Sequence, residues 1–239
     1  MNTEFQRIVD FRRSNRGFDP LVEVPDEVIH TSLARAILSP NSSNMQLWEF
    51  YWLSTPEAIQ AMTPICLNQR AASTAKQMVV FVTRRDKWKQ RAHWNLNLIK
   101  SAIKGEPNKG QKKGLNYYGK LMTIIYTNDP FGILTFLRKS MSFIMGLNKP
   151  FFRLGGLASQ RITAHKSCAL AAQTFMLSIS AEGFHTCPME GFDELRLKRY
   201  LKLPKGAEIN MVISVGAGTE AGVWGERNRL AFDEVVFKK

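Results

Sequence analysis

The chain has 239 residues, enough to bury a substantial core as one domain, and its 44% hydrophobic content, with five Trp and fifteen Phe, excludes global disorder. Three cysteines, Cys66, Cys168 and Cys187, form no CxxC pair, which argues against a disulfide framework or a zinc site and points to a reducing, cytoplasmic compartment. The net charge of +13 is unevenly spread: residues 84–166 hold seventeen Lys/Arg against three Asp/Glu, and the remainder holds sixteen against seventeen.

"MNTEFQRIVD" lacks the apolar run of a secretory leader, and no stretch of about 18 uninterrupted apolar residues exists, so neither a leader nor a spanning helix is expected. Residues 4–14 carry Phe5, Ile8, Val9 and Phe11 at roughly helical spacing. Val24–Leu38 predicts a helix, with Pro25 in its first turn, Asp26 and Glu27 facing the N-terminal dipole, and Val28, Ile29, Leu33 and Ile37 on one face. "SPNSSNMQLW" (Ser39–Trp48) ends it, because Pro, Asn and Ser cannot continue a helix. "EFYWLS" alternates as a strand, and Thr55 caps a helix over "PEAIQAMTPI". "QMVVFVT" (Gln77–Thr83) is a buried central strand. Residues 84–130 are polar, basic and glycine-punctuated, with a loop at Gly105–Gly114. Phe131–Phe152 is apolar but split by Arg138 and Lys139. Ala164–Gly183 predicts a long buried helix with Gly183 at its C-terminus, and "INMVISVGAG" a strand running into a glycine turn. Helices alternating with a few strands indicate an α+β or α/β fold, without internal repeats.

Two clusters stand out. Arg12, Arg13, Ser14, Asn15 and Arg16 follow the first helix; alone they are either a solvated basic turn or an anion cradle, since guanidinium forks suit phosphate oxygens. Ser39–Trp48 is either a polar loop anchored by its Trp or a set of groups that hydrogen-bond a flat polar ring. His30, His93, His165 and His185 have no His, Asp or Glu at ligand spacing and are expected to be structural. No metal site is expected.

"RRSNRGF" followed by "VPDEVIHTSLARAILSPNSSNMQLWEF" resembles the N-terminal signature of the FMN-dependent nitroreductase family. "CPMEGFD" (Cys187–Asp193) is similar to that family's flavin turn, and "GERNRLAFDEVV" (Gly225–Val236) to its C-terminal basic segment. The four segments occur in the family's order, across roughly residues 5–83 and 164–236. The resemblance implies an α+β fold with a mostly antiparallel sheet flanked by helices, in a homodimer that exchanges arms and binds FMN at its interface. By position, Arg12, Ser14 and Arg16, with neighbouring Arg13, resemble the residues that hold the flavin phosphate and pyrimidine edge. Arg227 and Arg229 resemble the pair that closes on the phosphate. Pro40, Asn41, Ser42, Asn44 and Gln46 resemble the loop reaching the flavin from the other subunit. Asn68 falls where the family has an asparagine on the ring's polar edge. Pro188, Met189, Glu190 and Gly191 resemble the turn whose amides approach the flavin N5.

Three departures matter, the first being Asn41 in place of the usual serine, still a donor and acceptor. Leu47 stands where the family loop usually has proline. Ala71 stands where relatives often carry a lysine near the flavin N1/O2 edge, so Arg16 acts alone there unless Arg70 substitutes, and a lowered flavin potential is expected.

The implied activity is hydride transfer from NADH or NADPH through FMN to a nitroaromatic, quinone or related acceptor. The alternatives are a reductase or dehalogenase of a lipophilic metabolite at a membrane surface, and a non-enzymatic flavin-binding protein. Residues 84–163 correspond to the family's variable cap, here enlarged and basic. On a helix, Leu134, Leu137, Met141 and Ile144 or Met145 share one face, while Arg138, Lys139 and Ser142 share another. That fits a cap packed on the core, an amphipathic segment on anionic lipid, or a steering patch for an anionic substrate or nucleic acid. No nucleic-acid-binding signature accompanies it, and no nucleic-acid partner is expected.

Overall fold

The computed structural model describes residues 3–153 and 155–239. Helix α1 (Thr3–Phe11) leads through the Arg12–Phe18 segment and a loop to α2 (Asp26–Ala36). Strand β1 (Trp48–Leu53) precedes α3 (Pro56–Ile65), α4 (Arg70–Ser73) and β2 (Gln77–Thr83). Then come α5 (Trp88–Ser101), α6 (Lys109–Asn116), a π-helical turn at Tyr117–Leu121, α7 (Met122–Tyr126) and α8 (Ile133–Asn148). The chain closes with α9 (Leu157–Ala181), β3 (His185–Met189), α10 (Glu194–Tyr200), β4 (Glu208–Gly216) and α11 (Phe232–Val235).

The four strands form one sheet in the order β1-β2-β4-β3, every pairing antiparallel. Strand β2 is central and buried along its whole length, as its unbroken apolar run predicts. Its side chains alternate between two cores. Val79 and Phe81 meet Ile29 of α2 and Cys168, Ala172 and Phe175 of α9. Met78, Val80 and Val82 meet Ile59 and Met62 of α3 and Leu197 of α10. Each such side chain contributes roughly 1.5–3 kcal/mol on burial, so the sheet and its two helical layers dominate the stability of the fold. The small residues Ala171, Ala172 and Cys168 let α9 lie close against α2 and the sheet.

Most sequence expectations match. Thr55 Oγ1 accepts the Ala58 N–H at 3.2 Å, the predicted cap of α3. Gly183 follows the C-terminus of α9 at φ 81°. Helix α9 starts at Leu157, seven residues before the predicted start. The loop expected at Gly105–Gly114 is corrected: only its first part is a loop, because α6 begins at Lys109. The Asn108 side chain accepts the Gln111 N–H while Gln111 Oε1 accepts the Asn108 N–H, a capping box that starts a helix in a glycine- and lysine-rich stretch.

Candidate functional site

The Arg12–Phe18 segment is stitched to the end of the sheet. The Asn15 N–H donates to the Thr186 carbonyl at 3.0 Å, the Arg16 N–H to Gly222 at 2.7 Å and the Asp19 N–H to Ala217 at 2.8 Å. Ser14 bridges Thr186 of β3, and Phe18 bridges Gly218. Asn15 is 1% exposed: its amide donates to the Thr219 carbonyl at 2.9 Å, and its Oδ1 accepts the Gly17 N–H at 3.0 Å. Asn15 therefore organises the turn and points inward into protein. A Cβ on Gly222 would lie 1.8 Å from Asn15 Oδ1, so the backbone closes over Asn15 only because that residue is glycine.

This turn gathers the arginines. Burial, then the charges of Arg227, Arg229 and Arg13, hold the Arg12 guanidinium below its ordinary pKa. Among the described residues Arg12 has neither a hydrogen-bond acceptor nor an acidic partner for its side chain. Arg13 donates to the Gly225 carbonyl at 2.9 Å, tying the C-terminal segment to this corner. Arg227 directs its guanidinium to the carbonyls of Val9, Asp10 and Arg12, so it caps the C-terminal end of α1. Among the described residues Arg229 donates only to the neighbouring Asn228 carbonyl. Arg16 stacks over Trp224, 4.3 Å from the ring centroid. The Arg70 guanidinium covers Gly17 and reaches the Ala221 carbonyl at 3.5 Å, next to Arg16. Ala71 is 3% exposed and sits in the core with Met62 and Val80.

The Cys187–Asp193 segment lies alongside. Cys187, Pro188 and Met189 finish β3, and Glu190 and Gly191 leave the sheet with their N–H groups free of acceptors among the described residues. Gln69 clamps this turn: its amide donates to the Gly191 carbonyl at 2.6 Å and to Cys66 at 3.0 Å. Leu67 and Asn68 beside it adopt positive φ, which turns the chain toward Gly191. Burial raises the Cys187 thiol while Arg16 pulls it the other way, and the net effect is upward. A basic neighbour is thus present, but burial outweighs it and the thiol stays protonated. Burial also pushes Cys66 up to about 11 and Cys168 up to about 12.

The second predicted cluster lies elsewhere in the same chain. Asn41 Oδ1 accepts the Gln46 N–H at 2.8 Å, and Asn44 exchanges hydrogen bonds with Asn95 of α5. The Ser42 N–H donates to Ser167 of α9 at 3.2 Å, and Ser43 meets the Tyr117 hydroxyl at 2.6 Å. Ser43, Asn44 and Gln46 adopt positive φ, a cost of about 1 kcal/mol or more each that burial of Met45, Leu47 and Trp48 offsets. Leu47 replaces the rigid ring of proline with a side chain packed beside Ala92 and Met122. At about 1.5 Å per residue, Ser167 lies roughly 20 Å along α9 from the end that leads into β3. Arg12, Arg13, Ser14, Arg16, Asn68, Pro188, Met189, Glu190, Gly191, Arg227 and Arg229 come together at one corner; Pro40, Asn41, Ser42, Asn44 and Gln46 do not join them. Gln69, Trp224 and the turn-building role of Asn15 escape the sequence reading. Trp224 has a visible signal, an isolated aromatic in a glycine-bounded segment beside Arg227.

The sequence signature of the Nitroreductase family matches residues 9–217. Protein DrgA of Synechocystis is 26% identical over 210 residues, 87% of this chain and 81% of that protein. A NADH dehydrogenase of Thermus thermophilus is 24% identical over 227 residues, 94% and 91% of the two chains. A solved structure from Exiguobacterium sibiricum, described as a nitroreductase in complex with FMN, superposes with a TM-score of 0.66 at 21% identity, covering 100% of this chain and 99% of the other.

Proposed function

The chain belongs to the nitroreductase family, and we propose that it is an FMN-dependent oxidoreductase that takes a hydride from NADH or NADPH and reduces a nitroaromatic, quinone or related acceptor. The observation that carries this reading is Arg12, a half-buried guanidinium with no acceptor of its own among the described residues, set amid Arg13, Arg227 and Arg229. Four like charges are costly to hold together unless an anion joins them, and a phosphate monoester meets that need.

The residues fit FMN. Arg12, Arg13 and Arg229, with the Ser14 hydroxyl, hold the phosphate, while Arg227 fixes the backbone that carries Arg12. Arg16 and Asn68 face the pyrimidine edge, and the free amides of Glu190 and Gly191 serve as donors at the ring. FMN, when bound, supplies the hydride exchange with the nicotinamide and the delivery of electrons to the acceptor. The protein's part is to bind, orient and stabilise charge, and no protein acid or base is required. Pro40, Asn41, Ser42, Asn44 and Gln46 complete the site from a second copy of the chain, because within one chain they lie far from the arginines; the working form is a homodimer. Helices α5–α8, within residues 84–163, are the cap that selects the acceptor.

The absorbance spectrum of the purified protein tests this directly. A flavin spectrum that bleaches with NADH or NADPH and returns with a quinone is expected. A colourless protein that takes up no added FMN overturns the reading, and a bound flavin that neither nicotinamide reduces leaves only a flavin carrier.

A peripheral membrane role is favoured by one observation. Helix α8 and its flanks expose Phe131 (87%), Phe136 (70%) and Ile144 (64%) in the most basic third of the chain. No helix among the described residues is long and apolar enough to cross a membrane, so contact is with the surface. Co-sedimentation with anionic vesicles at low salt is the expected result, and its absence removes this role.

A further inference from the structure

Between the Ser42–Ser43 loop, the π-helical turn, α7, α8 and the start of α9 lies a cavity of about 520 Å³, within the range of sites for small organic ligands. Leu121, Met122, Ile125, Met141, Phe151 and Phe152 give it apolar walls. Several of its polar wall groups are engaged within the protein. Tyr117 pairs with Ser43, Ser142 donates to the Lys139 carbonyl, Ser159 to Gly155, Thr163 to Ser159, and Gln160 to Ile125.

The Ser42 and Tyr126 hydroxyls lack partners among the described residues but are accessible, whereas Arg138 is the wall residue whose unpartnered atom is buried. Its Nη2 donates to the Thr127 carbonyl, but its Nη1 is buried and has no partner among the described residues. Among those residues no carboxylate pairs with it, although Asp129 lies at the head of the same helix, its oxygens taken by the Ile133 and Leu134 N–H groups. A buried cationic donor left without an acceptor is costly, and an apolar cavity offers no water-rich alternative.

We propose that this cavity binds an apolar molecule bearing one carboxylate, the carboxylate on Arg138 and the hydrocarbon body against Met122, Ile125, Met141 and Phe151. One unengaged Nη1 matches one carboxylate; a phosphate or sulfate monoester has three terminal oxygens to satisfy and finds no second free cation on these walls. The surplus positive charge of residues 84–166 favours an anion over a neutral ligand at the entrance. The cavity shares no residue with the arginine corner, but Ser42 and helices α7 and α8 wall it, so it adjoins the loop and the cap that the proposed function assigns to the flavin site.

Titration calorimetry of the full chain with decanoate, below its micelle concentration and without nicotinamide, tests the proposal. Decanoate is expected to bind at one site per chain, at least tenfold tighter than methyl decanoate, which keeps the chain and loses the charge. Arg138→Gln is expected to weaken decanoate at least tenfold and leave the ester unchanged, and Ser159→Phe, which fills the cavity, to remove both. Absence of decanoate binding, or equal affinity for acid and ester, overturns the proposal. The acid–ester comparison uses only the native chain and holds even if a variant misfolds. Binding without flavin reduction would separate this site's success from failure of the flavin reading.

Discussion

Arg227 donates to the main-chain carbonyl of Arg12 at 2.8 Å while its charge helps to depress the Arg12 side-chain pKa. One guanidinium thus fixes the backbone of another and repels its charge. The two arginines are expected to differ on substitution. Arg12→Ala removes an unpaired charge, so the fold loses little and FMN affinity falls at least tenfold. Arg227→Ala frees the carbonyls of Val9, Asp10 and Arg12 and is expected to cost roughly 1–3 kcal/mol of stability as well as flavin affinity. Chemical unfolding alongside FMN titration checks the split; equal stability losses contradict it.

The turn built on Asn15 makes a second prediction. Asn15→Ala removes two buried hydrogen bonds, a cost of about 1–3 kcal/mol. Gly222→Ala drives a methyl into Asn15 Oδ1 and to 2.7 Å from the Gly17 nitrogen, and costs at least as much. The two changes share one contact, so their effects are expected to be non-additive, with Gly222→Ala milder in the Asn15→Ala background. Additive losses in a double-mutant cycle would falsify the direct clash.

His185 gives the site a pH dependence. Burial holds its pKa below the ordinary 6.5, and its Nδ1 accepts the Gly218 N–H at 3.0 Å, which requires the neutral ring. The unfolded chain takes up the proton near 6.5 and the folded chain resists it, so this contribution is complete above that pH and declines below it. Stability measured from pH 8 to pH 5 is expected to be flat and then fall below about 6.5, and His185→Gln should flatten the fall. An unchanged slope in His185→Gln assigns the loss to other groups.

Much of the fold was legible because its signals are local. The β-branched run of β2, the Thr55 cap and Gly183 each carry their physics in a few residues. Helix α6 was not legible: glycines and lysines mask it, and the Asn108–Gln111 capping box decides. The arginine corner was legible only as chemistry. Its geometry depends on the two chain ends meeting, which engages Arg227 with α1 and brings Trp224 over Arg16, and no local pattern encodes that. Ala71 illustrates the same limit. It reads as a missing surface cation, yet the position is buried beneath the site, and Arg70 is the residue that emerges beside Gly17.

Under the proposed function, Arg70 is the substitute that the sequence left open, and Arg16 and Arg70 share the task. Arg16 is fixed over Trp224 and Arg70 over Gly17, so both charges stand at the proposed pyrimidine edge. A cation there stabilises the reduced, anionic flavin. Arg16→Ala is expected to weaken FMN binding, slow reduction by nicotinamide and lower the flavin potential. Arg70→Ala should lower the potential while sparing phosphate binding, because its guanidinium is absent from the Arg12 cluster. Trp224→Ala, which removes the ring beneath Arg16 and leaves its charge, should loosen FMN by a few-fold, as a cation–π contact of about 0.5–1 kcal/mol predicts. Potentiometric titration of the three variants separates these roles. A potential unmoved by Arg70→Ala returns the charge to Arg16 alone, and the low potential expected from Ala71 then stands.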